Sequence, residues 1–582
     1  MKDRVIKIGC ASGFWGDTSS ALPQLVRQSD VNYIVFDYLA EVTMSILAGA
    51  KLKNPDMGYA TDFVKSTVPL LKEIKEKGIK LISNAGGINV ESCQKIITAA
   101  AKEADLDIKV AIVKGDDLTD KIESLTTESL PKGILSVNAY LGAAGIKQAL
   151  SCGADIVITG RCTDSGLALG PLMHEFNWSE ADYDLLASGS LAGHIIECGA
   201  HCTGGNFTDW HLIRGFDNMG FPIVEVQANG EFVVTKPDNT GGLVCRGSVG
   251  EQLLYELDNP AAYILPDVVC DFTQVTIDEI GKNRVLVKGA KGKPATPHYK
   301  VSATYADGFR LVTSIVLGGI EADKKAKIIA ESIYKKTRTM FKNNKWKDYT
   351  DAAFDILGTE SIYGNNARPL KPREIVLRLV ANHQQKDALV LLSKEIAQAA
   401  TGCVPGIMNF LGGRASVSPS IKLFSLLIPK SQIQVEVICE GRPSAVEIPN
   451  GTNYINDEKT STQLIQLATE AEVPLIKLAY ARSGDKGNHA NIGVISRRTE
   501  YLPYIRLSLT HEALAKYFSL EDKNNVESWE LPGLGAINFL LKNVLGGGGM
   551  ASIHLDPQGK CFAQQLLEIP IKVPASLAKE YQ

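Results

Sequence analysis

The densest group of reactive side chains in this sequence lies between residues 193 and 210. His194, Glu197 and His201 occur there together with Cys198 and Cys202. If the stretch is helical, positions 194, 198, 201 and 202 fall on one stripe of the helix. Such a stripe could belong to the core or line a substrate site, could supply an acid, a base or a Cys–His nucleophile, or could hold zinc. We predict acid–base roles for His194, Glu197 and His201 and assign no metal ligand.

A second group of polar side chains follows strand-like runs in the first 170 residues. Ligands of an open α/β sheet bind beyond the carboxyl ends of its strands, so side chains at these ends should meet on one rim. Each of them is also typical of a turn or a helix cap, but their convergence favours a site. The predicted substrate-binding residues on the rim are Asp37, Asn84, Asn138 and Arg161, and Asp164 is the fourth predicted acid–base residue.

Two glycine-rich turns supply further candidates. Lys236 precedes the turn Thr240-Gly241-Gly242, and Asn206 follows a pair of glycines. A lysine beside such a turn could hold a phosphate or a thioester carbonyl oxygen, or the turn could be a solvated hairpin loop. We predict that Asn206, Lys236, Thr240, Gly241 and Gly242 contact substrate.

The last third of the chain contains one compact charged motif. Arg482, Ser483, Asp485 and Lys486 lie in a glycine-containing stretch that we predict to be a loop between two strands. Loops held by a rigid scaffold often carry function, although an ion-paired turn would show the same residues. Arg482 and Lys486 would bind an anionic group, while Asp485 would orient substrate or accept a proton.

The elements that must position these side chains follow two patterns. In the first 200 residues, short apolar runs alternate with helical stretches, which predicts an α/β domain with a buried parallel sheet. Expected strands are 5–8, 32–37, 79–82, 108–113, 134–137 and 155–158, with helices at 19–27, 40–50, 92–102 and 144–151. Whether this sheet is open or closed into a barrel is undecided.

From about residue 220 the pattern changes to an α+β extension that begins with a hairpin at Asn229-Gly230. We predict an N-terminal domain of residues 1–441, divided near 220 into two subdomains, and a linker of residues 442–473. Residues 474–582 should form a small α+β domain of ferredoxin-like type, in which 475–480 and 491–495 are strands.

Composition excludes several classes of protein. Apolar residues make up 45% of the 582 residues, and the formal net charge is −4, which argues against a nucleic-acid-binding chain. No apolar run is long enough to span a membrane, and no signal peptide is recognisable. We therefore expect a cytoplasmic protein with reduced cysteines, without nucleic-acid or membrane partners, that forms a homo-oligomer.

The chain resembles the acyclic terpene utilisation family, AtuA-like, over nearly its whole length. The resemblance rests on residues 160–165 (GRCTDS), 193–210, 236–244, 251–255 (EQLLY), 266–268 with 271–272, 412–414 with 418–419, and 481–487 (ARSGDKG). It implies a large N-terminal domain followed by a ferredoxin-fold domain. It also implies a link to the breakdown of acyclic terpenoids such as citronellol and geraniol through branched CoA thioesters.

From the residues and the resemblance together, we expect an enzyme that acts on a branched acyl-CoA or carboxylate by addition, elimination or acyl transfer. It would be of lyase, hydratase or transferase type. No cofactor is predicted, and a coenzyme A thioester is the candidate substrate. The alternative is a non-catalytic subunit or scaffold of a degradation complex.

Overall fold

The computed structural model describes residues 4–454 and 470–581. Strands and helices alternate through its first 200 residues, as the apolar pattern predicts. They are β1 Val5–Cys10, α1 Ala21–Gln28, β2 Tyr33–Phe36, α2 Glu41–Lys53, α3 Thr61–Thr67, α4 Leu71–Glu76, β3 Lys80–Ser83, α5 Val90–Glu103, β4 Val110–Lys114, α6 Ile122–Leu125, β5 Ile134–Ala139, α7 Ala144–Ser151, β6 Ile156–Thr159, α8 Gly166–Phe176 and α9 Tyr183–Ile196.

The middle of the chain is richer in strands. It contains β7 Ile223–Gln227, β8 Phe232–Thr235, α10 Arg246–Leu254, β9 Tyr263–Ile264, β10 Val269–Asp271, β11 Thr276–Gly281, β12 Arg284–Lys288, β13 Lys291–Lys293, β14 His298–Gly318, α11 Ala322–Asn343, β15 Asp351–Leu357, β16 Glu374–His383, α12 Lys386–Gly402, β17 Ile407–Leu411, β18 Val417–Pro429, β19 Glu436–Cys439 and β20 Arg442–Ala445.

The large sheet has the strand order β11-β12-β8-β7-β1-β2-β3-β6-β4-β19-β20. Its centre, β1-β2-β3-β6-β4, is parallel, and antiparallel strands extend it on both sides. All four residues of β2 and of β6 are buried, as expected for strands covered on both faces. The predicted parallel sheet is therefore confirmed, and it is open rather than barrel-like because it ends in two edge strands.

One strand of the expected series lies elsewhere. Residues 134–137 were expected in the parallel sheet, but β5 pairs antiparallel with β14 in a second sheet that also contains β15, β16, β17 and β18. Ser136 and Asn138 alternate with Val137 and Ala139 along β5. Such alternation suits a strand with a polar and an apolar face, so β5 joins the antiparallel sheet. Helices α11 and α12 pack on this sheet and complete the α+β extension.

The C-terminal part consists of β21 Ala471–Pro474, β22 Ala479–Lys486, β23 His489–Ser496, α13 Leu502–Ser508, α14 His511–Tyr517, β24 Val526–Leu531, β25 Ala536–Leu541, α15 Phe562–Leu566, β26 Pro570–Val573 and α16 Ala575–Lys579. Four of these strands form one antiparallel sheet in the order β22-β23-β25-β24. An α+β domain was predicted here, but residues 475–477 form a 3-10 turn rather than the start of a strand.

The charged motif at 481–491 is also not the predicted loop. It belongs to the hairpin β22–β23, whose strands pair from Ala479↔Ser496 to Lys486↔His489. The predicted strand at 491–495 lies within β23, but the extension of β22 through residues 481–486 was missed. Polar residues in that part contact the other domain instead of solvent, so they do not follow the usual strand pattern.

Residues 442–445, at the start of the predicted linker, form the strand β20, which pairs with β19 of the large sheet. Residues 455–469 of that linker lie outside the described residues. Among the helices of the described residues, none combines the length and the apolar character that crossing a membrane requires.

Candidate functional site

A cavity of about 870 Å³ lies between the N-terminal and C-terminal domains. The N-terminal domain lines it with the loops after β1, β2 and β6, the segment after α9, and the end of α10. The second sheet contributes Lys300 and part of β18. The C-terminal domain adds the tip of the β22–β23 hairpin, the glycine-rich residues 547–551, and Lys560. The site is therefore built from both domains.

Arg161 is fixed at one corner of this cavity. Its Nη1 atom lies 3.1 Å from Oδ1 of Asp164 and donates a hydrogen bond to the Leu39 carbonyl oxygen. The guanidinium group lies 4.3 Å from the ring centre of Tyr140. Its backbone N–H donates to Asp116 over 2.7 Å. Because the group is buried and its Nη1 atom is already bonded to Asp164 and Leu39, we assign it to holding Asp164 rather than to binding a mobile ligand.

Asp37 faces the same cavity and is held by Asn84. The Asn84 amide nitrogen donates to Oδ1 of Asp37 over 2.6 Å, and its oxygen accepts from the Tyr38 backbone N–H. Burial and the neighbouring Asp164 raise the pKa of Asp37 well above its ordinary value. Burial likewise raises the pKa of Asp164, although Arg161 opposes the shift. Asp37 and Asp164 are therefore carboxyl groups that hold protons more tightly than usual.

Glu197 forms a pair with His194. Nδ1 of His194 lies 2.9 Å from Oε1 of Glu197, and Nε2 lies 3.0 Å from the carbonyl oxygen of Leu253. A carbonyl oxygen can only accept, so Nε2 of His194 carries a proton and donates it to Leu253. The contact between Nδ1 and Glu197 then holds one proton, which the imidazole and the carboxylate share. Burial raises the pKa of Glu197 to about 7, against the opposing effect of His194. Burial opposes the charged form of His194, but Glu197 raises the net pKa of the imidazole.

Only Glu197 of this pair lines the cavity, while His194 is buried behind it. His194 therefore positions Glu197 and supplies its counter-charge.

His201 lies beyond the end of α9 and is held by the C-terminal domain. Nη2 of Arg482 lies 2.9 Å from Nδ1 of His201, and Nδ2 of Asn206 lies 3.1 Å from Nε2. Burial, Arg482 and Lys560 lower the pKa of His201 to about 3. The imidazole is therefore neutral near pH 7 and can accept a proton only weakly.

The predicted single helical stripe through 194–202 is wrong. Helix α9 ends at Ile196, and Gly199, with φ of +57°, starts a separate 3-10 turn that ends at His201. A left-handed glycine at this point stops the α-helix.

The residues of the charged hairpin have separate surroundings. Asp485 lines the cavity, where burial and Glu256 raise its pKa to about 6. Nζ of Lys560 lies 3.7 Å from Asp485 and 3.1 Å from Glu256. The Ser483 hydroxyl accepts a hydrogen bond from the Ala563 backbone, and the ammonium group of Lys486 lies 5.1 Å from the ring centre of Tyr263. Of the four predicted residues, Asp485 alone reaches the cavity surface.

The loop from Lys236 to Gly242 bonds mainly to itself and its neighbours. Nζ of Lys236 donates to the Thr240 carbonyl oxygen over 2.8 Å. Gly241 and Gly242 donate their backbone N–H groups to Asn218 and Arg214. No residue of this loop lines the cavity. These hydrogen bonds hold the loop against residues 214–219, and two residues of that segment line the cavity.

The predicted residues thus divide into two sets. Those that meet at the cavity are Asp37, Arg161, Asp164, Glu197, His201, Asn206 and Asp485. Those outside its lining are Asn84, Asn138, His194, Lys236, Thr240, Gly241, Gly242, Arg482, Ser483 and Lys486. Asn84, His194 and Arg482 still act on it because each holds a lining residue.

The cavity-lining residues that sequence reasoning missed include the charged or aromatic side chains Glu41, Tyr255, Glu256, Lys300 and Lys560. Burial alone would raise the pKa of Glu41, but Arg161, Lys300 and the Tyr140 hydroxyl lower it to about 2. Tyr255 and Glu256 directly follow α10, so the end of that helix was the available signal. Lys300 and Lys560 stand in no recognisable motif.

Two further chemistries find little support among the described residues. No group of three or more His, Cys, Asp or Glu side chains there is arranged to hold a metal ion. Cys198 lines the cavity, but burial and Glu197 raise its pKa well above the ordinary value. A thiol in this state supplies little of the thiolate that nucleophilic catalysis requires.

Comparison with known protein families identifies the family to which the chain belongs. The model of the acyclic terpene utilisation family protein AtuA matches residues 6–439. The chain belongs to the AtuA family. The AtuA ferredoxin-like domain matches residues 473–572, which include the C-terminal four-stranded sheet. Neither curated proteins nor solved structures include a significant match to this AtuA-family chain.

Proposed function

We propose that the protein is an enzyme that carries out addition or elimination by acid–base catalysis on a branched acyl-CoA thioester or the corresponding carboxylate. The observation that carries the proposal is the convergence of Glu197 and Asp485, with pKa values of about 7 and about 6, on one cavity. A carboxyl group tuned close to neutral pH can take up and release a proton in one catalytic cycle. Membership of the AtuA family favours a branched acyl substrate.

In the direction of elimination, the Asp485 carboxylate, which has the lower pKa of the two, would remove a proton from the carbon next to the acyl carbonyl. Protonated Glu197 would give its proton to the leaving hydroxyl, which departs as water while the electron pair of the C–H bond forms the double bond. His194 would neutralise the negative charge that Glu197 carries after it has given up this proton. Addition of water is the same path in reverse.

Acyl transfer, the third reaction type expected from the sequence, receives less support. It needs a nucleophile that attacks the acyl carbonyl. Cys198 is the thiol that lines the described cavity, and its pKa is raised far from the value that would favour a thiolate. Acid–base catalysis by carboxyl groups does not need a thiolate.

The proposal is tested first by ligand binding. The purified protein is titrated in a thermal-shift assay with free CoA, with branched and linear acyl-CoA thioesters, and with the matching free acids. A ligand at 100 times its dissociation constant stabilises a protein by about 2.7 kcal/mol. If no ligand of this panel raises the melting temperature, the enzyme proposal fails and the scaffold alternative gains support.

Turnover of the ligand identified in this way is then measured for Glu197→Gln. We expect kcat to fall by about 10²–10⁴, the usual contribution of a general acid, while ligand affinity changes little. The control is Glu500→Gln, because Glu500 is exposed and only loosely paired with Arg498 at 3.9 Å. Unchanged turnover in Glu197→Gln would remove Glu197 from the mechanism.

A further inference from the structure

A row of polar side chains crosses the second sheet beside the cavity. Asn138 on β5 pairs with Ser302 on β14, and Ser302 pairs with Ser425 on β18. Directly paired residues point to the same face of a sheet, so these three side chains form one line. Ser425, at the outer end of the line, lines the cavity and is exposed.

The inner part of this row has unmet hydrogen-bonding capacity. Within the described residues, Oγ of Ser302 and Oδ1 of Asn138 have no hydrogen-bond partner. Their residues are only 8% and 2% exposed. Leaving a buried polar atom without a partner costs about 1–3 kcal/mol, so such atoms are normally served by water or by a ligand.

Lys300 provides a positive charge at the same place. It lies two residues before Ser302 on β14 and therefore points to the same face of the sheet. Its ammonium group lines the cavity, 4.8 Å from the ring centre of Tyr140 and 3.8 Å from the nearest carboxylate, Glu41.

The other two cations of the cavity are more closely neutralised. Arg161 has a carboxylate at 3.1 Å, and Lys560 also has one at 3.1 Å. Glu41 is itself shared with Arg161, which leaves part of the positive charge of Lys300 available. Of the three, Lys300 is therefore the cation best placed to take an anionic ligand group.

We propose that Lys300 and the hydroxyl group of Ser425 bind a carboxylate group of the substrate. This rests on the proposed function in that it assigns the anchoring point of the same cavity. A carboxylate can accept a charge-assisted hydrogen bond from the ammonium group and an ordinary one from the Ser425 hydroxyl. Ser302 and Asn138 lie behind Ser425 and outside the cavity lining, so their unpartnered atoms continue the polar row rather than contact the ligand.

The test compares 3-methylbutanoate with its neutral isostere, 3-methylbutanamide, by thermal shift and isothermal titration on the full chain. We expect the acid to bind at least tenfold more tightly than the amide. Lys300→Met should weaken binding of the acid at least tenfold without changing the affinity for the amide. Lys300→Arg should retain most of the affinity for the acid. The matched control is Lys327→Met on α11, which lies outside the cavity.

Three outcomes would overturn the assignment: no binding of the acid to the natural chain, equal binding of acid and amide, or undiminished acid binding by Lys300→Met. The exposed position of Lys300 makes misfolding an improbable cause of lost binding, and the amide affinity checks that the cavity is intact. Glu197→Gln separates this inference from the proposed function. That variant should still bind the acid through Lys300, even if its turnover shows that Glu197 has no catalytic role.

Discussion

At the scale of single residues, partners rather than burial decide which carboxyl groups of the cavity keep a proton. Glu41 and Glu197 both line the cavity and are partly buried, yet the pKa of Glu41 is about 2 and that of Glu197 about 7. Glu41 meets two cations and a tyrosine hydroxyl. Glu197 meets one histidine and feels the carboxyl groups of Asp164 and Glu256. Two carboxyl groups in one cavity therefore differ in how tightly they hold a proton, and only Glu197 has a pKa close to neutral.

The role of His194 as a positioning residue is tested by His194→Gln. Without the imidazole charge and its hydrogen bond, the pKa of Glu197 should rise further above about 7, because burial and the neighbouring carboxylates then act unopposed. We expect the basic limb of the kcat–pH profile, on which Glu197 loses its proton, to move upward by about one unit or more, so that activity persists to higher pH.

His511→Gln serves as the control for that profile, because His511 is exposed and bonded to Ser528 in the C-terminal domain. A His194→Gln enzyme whose pH profile superimposes on that of the natural chain would show that His194 does not control the Glu197 proton.

At the scale of elements, sequence periodicity located the central parallel strands and the helices α1, α2, α5 and α7 because they are buried and regular. Helix α7 was predicted with the bounds that the structure has. Periodicity failed where long-range contacts decide. The strand β5 left the parallel sheet for β14, and β22 carries polar residues because it faces another domain. Asp37, Arg161 and Asp164 could be predicted from strand ends, whereas Lys300 and Lys560 depend on packing between distant segments.

The glycine run at 546–549 shows what local sequence can indicate at this scale. All four glycines have positive φ, and residues 547–549 line the cavity. A Cβ atom on Gly548 would lie 2.1 Å from the carbonyl oxygen of Gly487 at the hairpin tip. Two segments of the C-terminal domain therefore approach each other so closely that a side chain is excluded.

We predict that Gly548→Ala destabilises the protein by about 1–3 kcal/mol and weakens ligand binding in the cavity, because the loop must move away from the hairpin. Urea denaturation and thermal-shift titration measure the two effects. Gly49→Ala is the matched control, since Gly49 lies within α2 and a Cβ atom there meets nothing within 4 Å. That substitution should be neutral or stabilising by about 0.5–1 kcal/mol. Equal effects of the two substitutions would contradict the close approach at Gly548.

At the scale of the whole molecule, the cavity exists because the two domains are held together. Arg497 makes two hydrogen bonds of 2.6 Å to Asp209 across the boundary and stacks on Tyr480 at 4.2 Å. Asn491 bonds to the backbone at Leu254 and Glu256, next to the cavity wall. The geometry of the cavity therefore depends on contacts between the domains that lie outside its own lining.

Replacing Arg497 by alanine should therefore destabilise the protein by about 2–4 kcal/mol, because Asp209 is left largely buried without its partner. Its neighbour gives a matched control, since Arg498 is exposed and pairs with Glu580 at 3.4 Å. Arg498→Ala should cost less than about 1 kcal/mol. Denaturant unfolding of both variants measures the difference, and similar losses would mean that the ion pair contributes little to joining the domains.

The same interface makes stability depend on pH through Glu251. Its Oε1 atom accepts a hydrogen bond from the Thr208 backbone, its Oε2 atom has no partner within the described residues, and burial raises its pKa from 4.5 to about 7. Between these two values the folded protein holds a proton that the unfolded chain releases. This stabilising contribution is complete below about pH 4.5 and is lost as the pH rises through 7.

Glu251→Gln removes that titration, because an amide does not ionise. From pH 5 to pH 8, the free energy of unfolding of the natural chain should fall by up to about 3 kcal/mol more than that of the variant. Urea denaturation at several pH values measures both slopes, and Glu512→Gln, at an exposed site on α14, should keep the natural slope. If the free energy of unfolding of Glu251→Gln and of the natural chain changed with pH at the same rate, Glu251 would be ionised in the folded protein. Its charge would then be balanced across the interface by Arg482, which opposes the effect of burial on the pKa of Glu251.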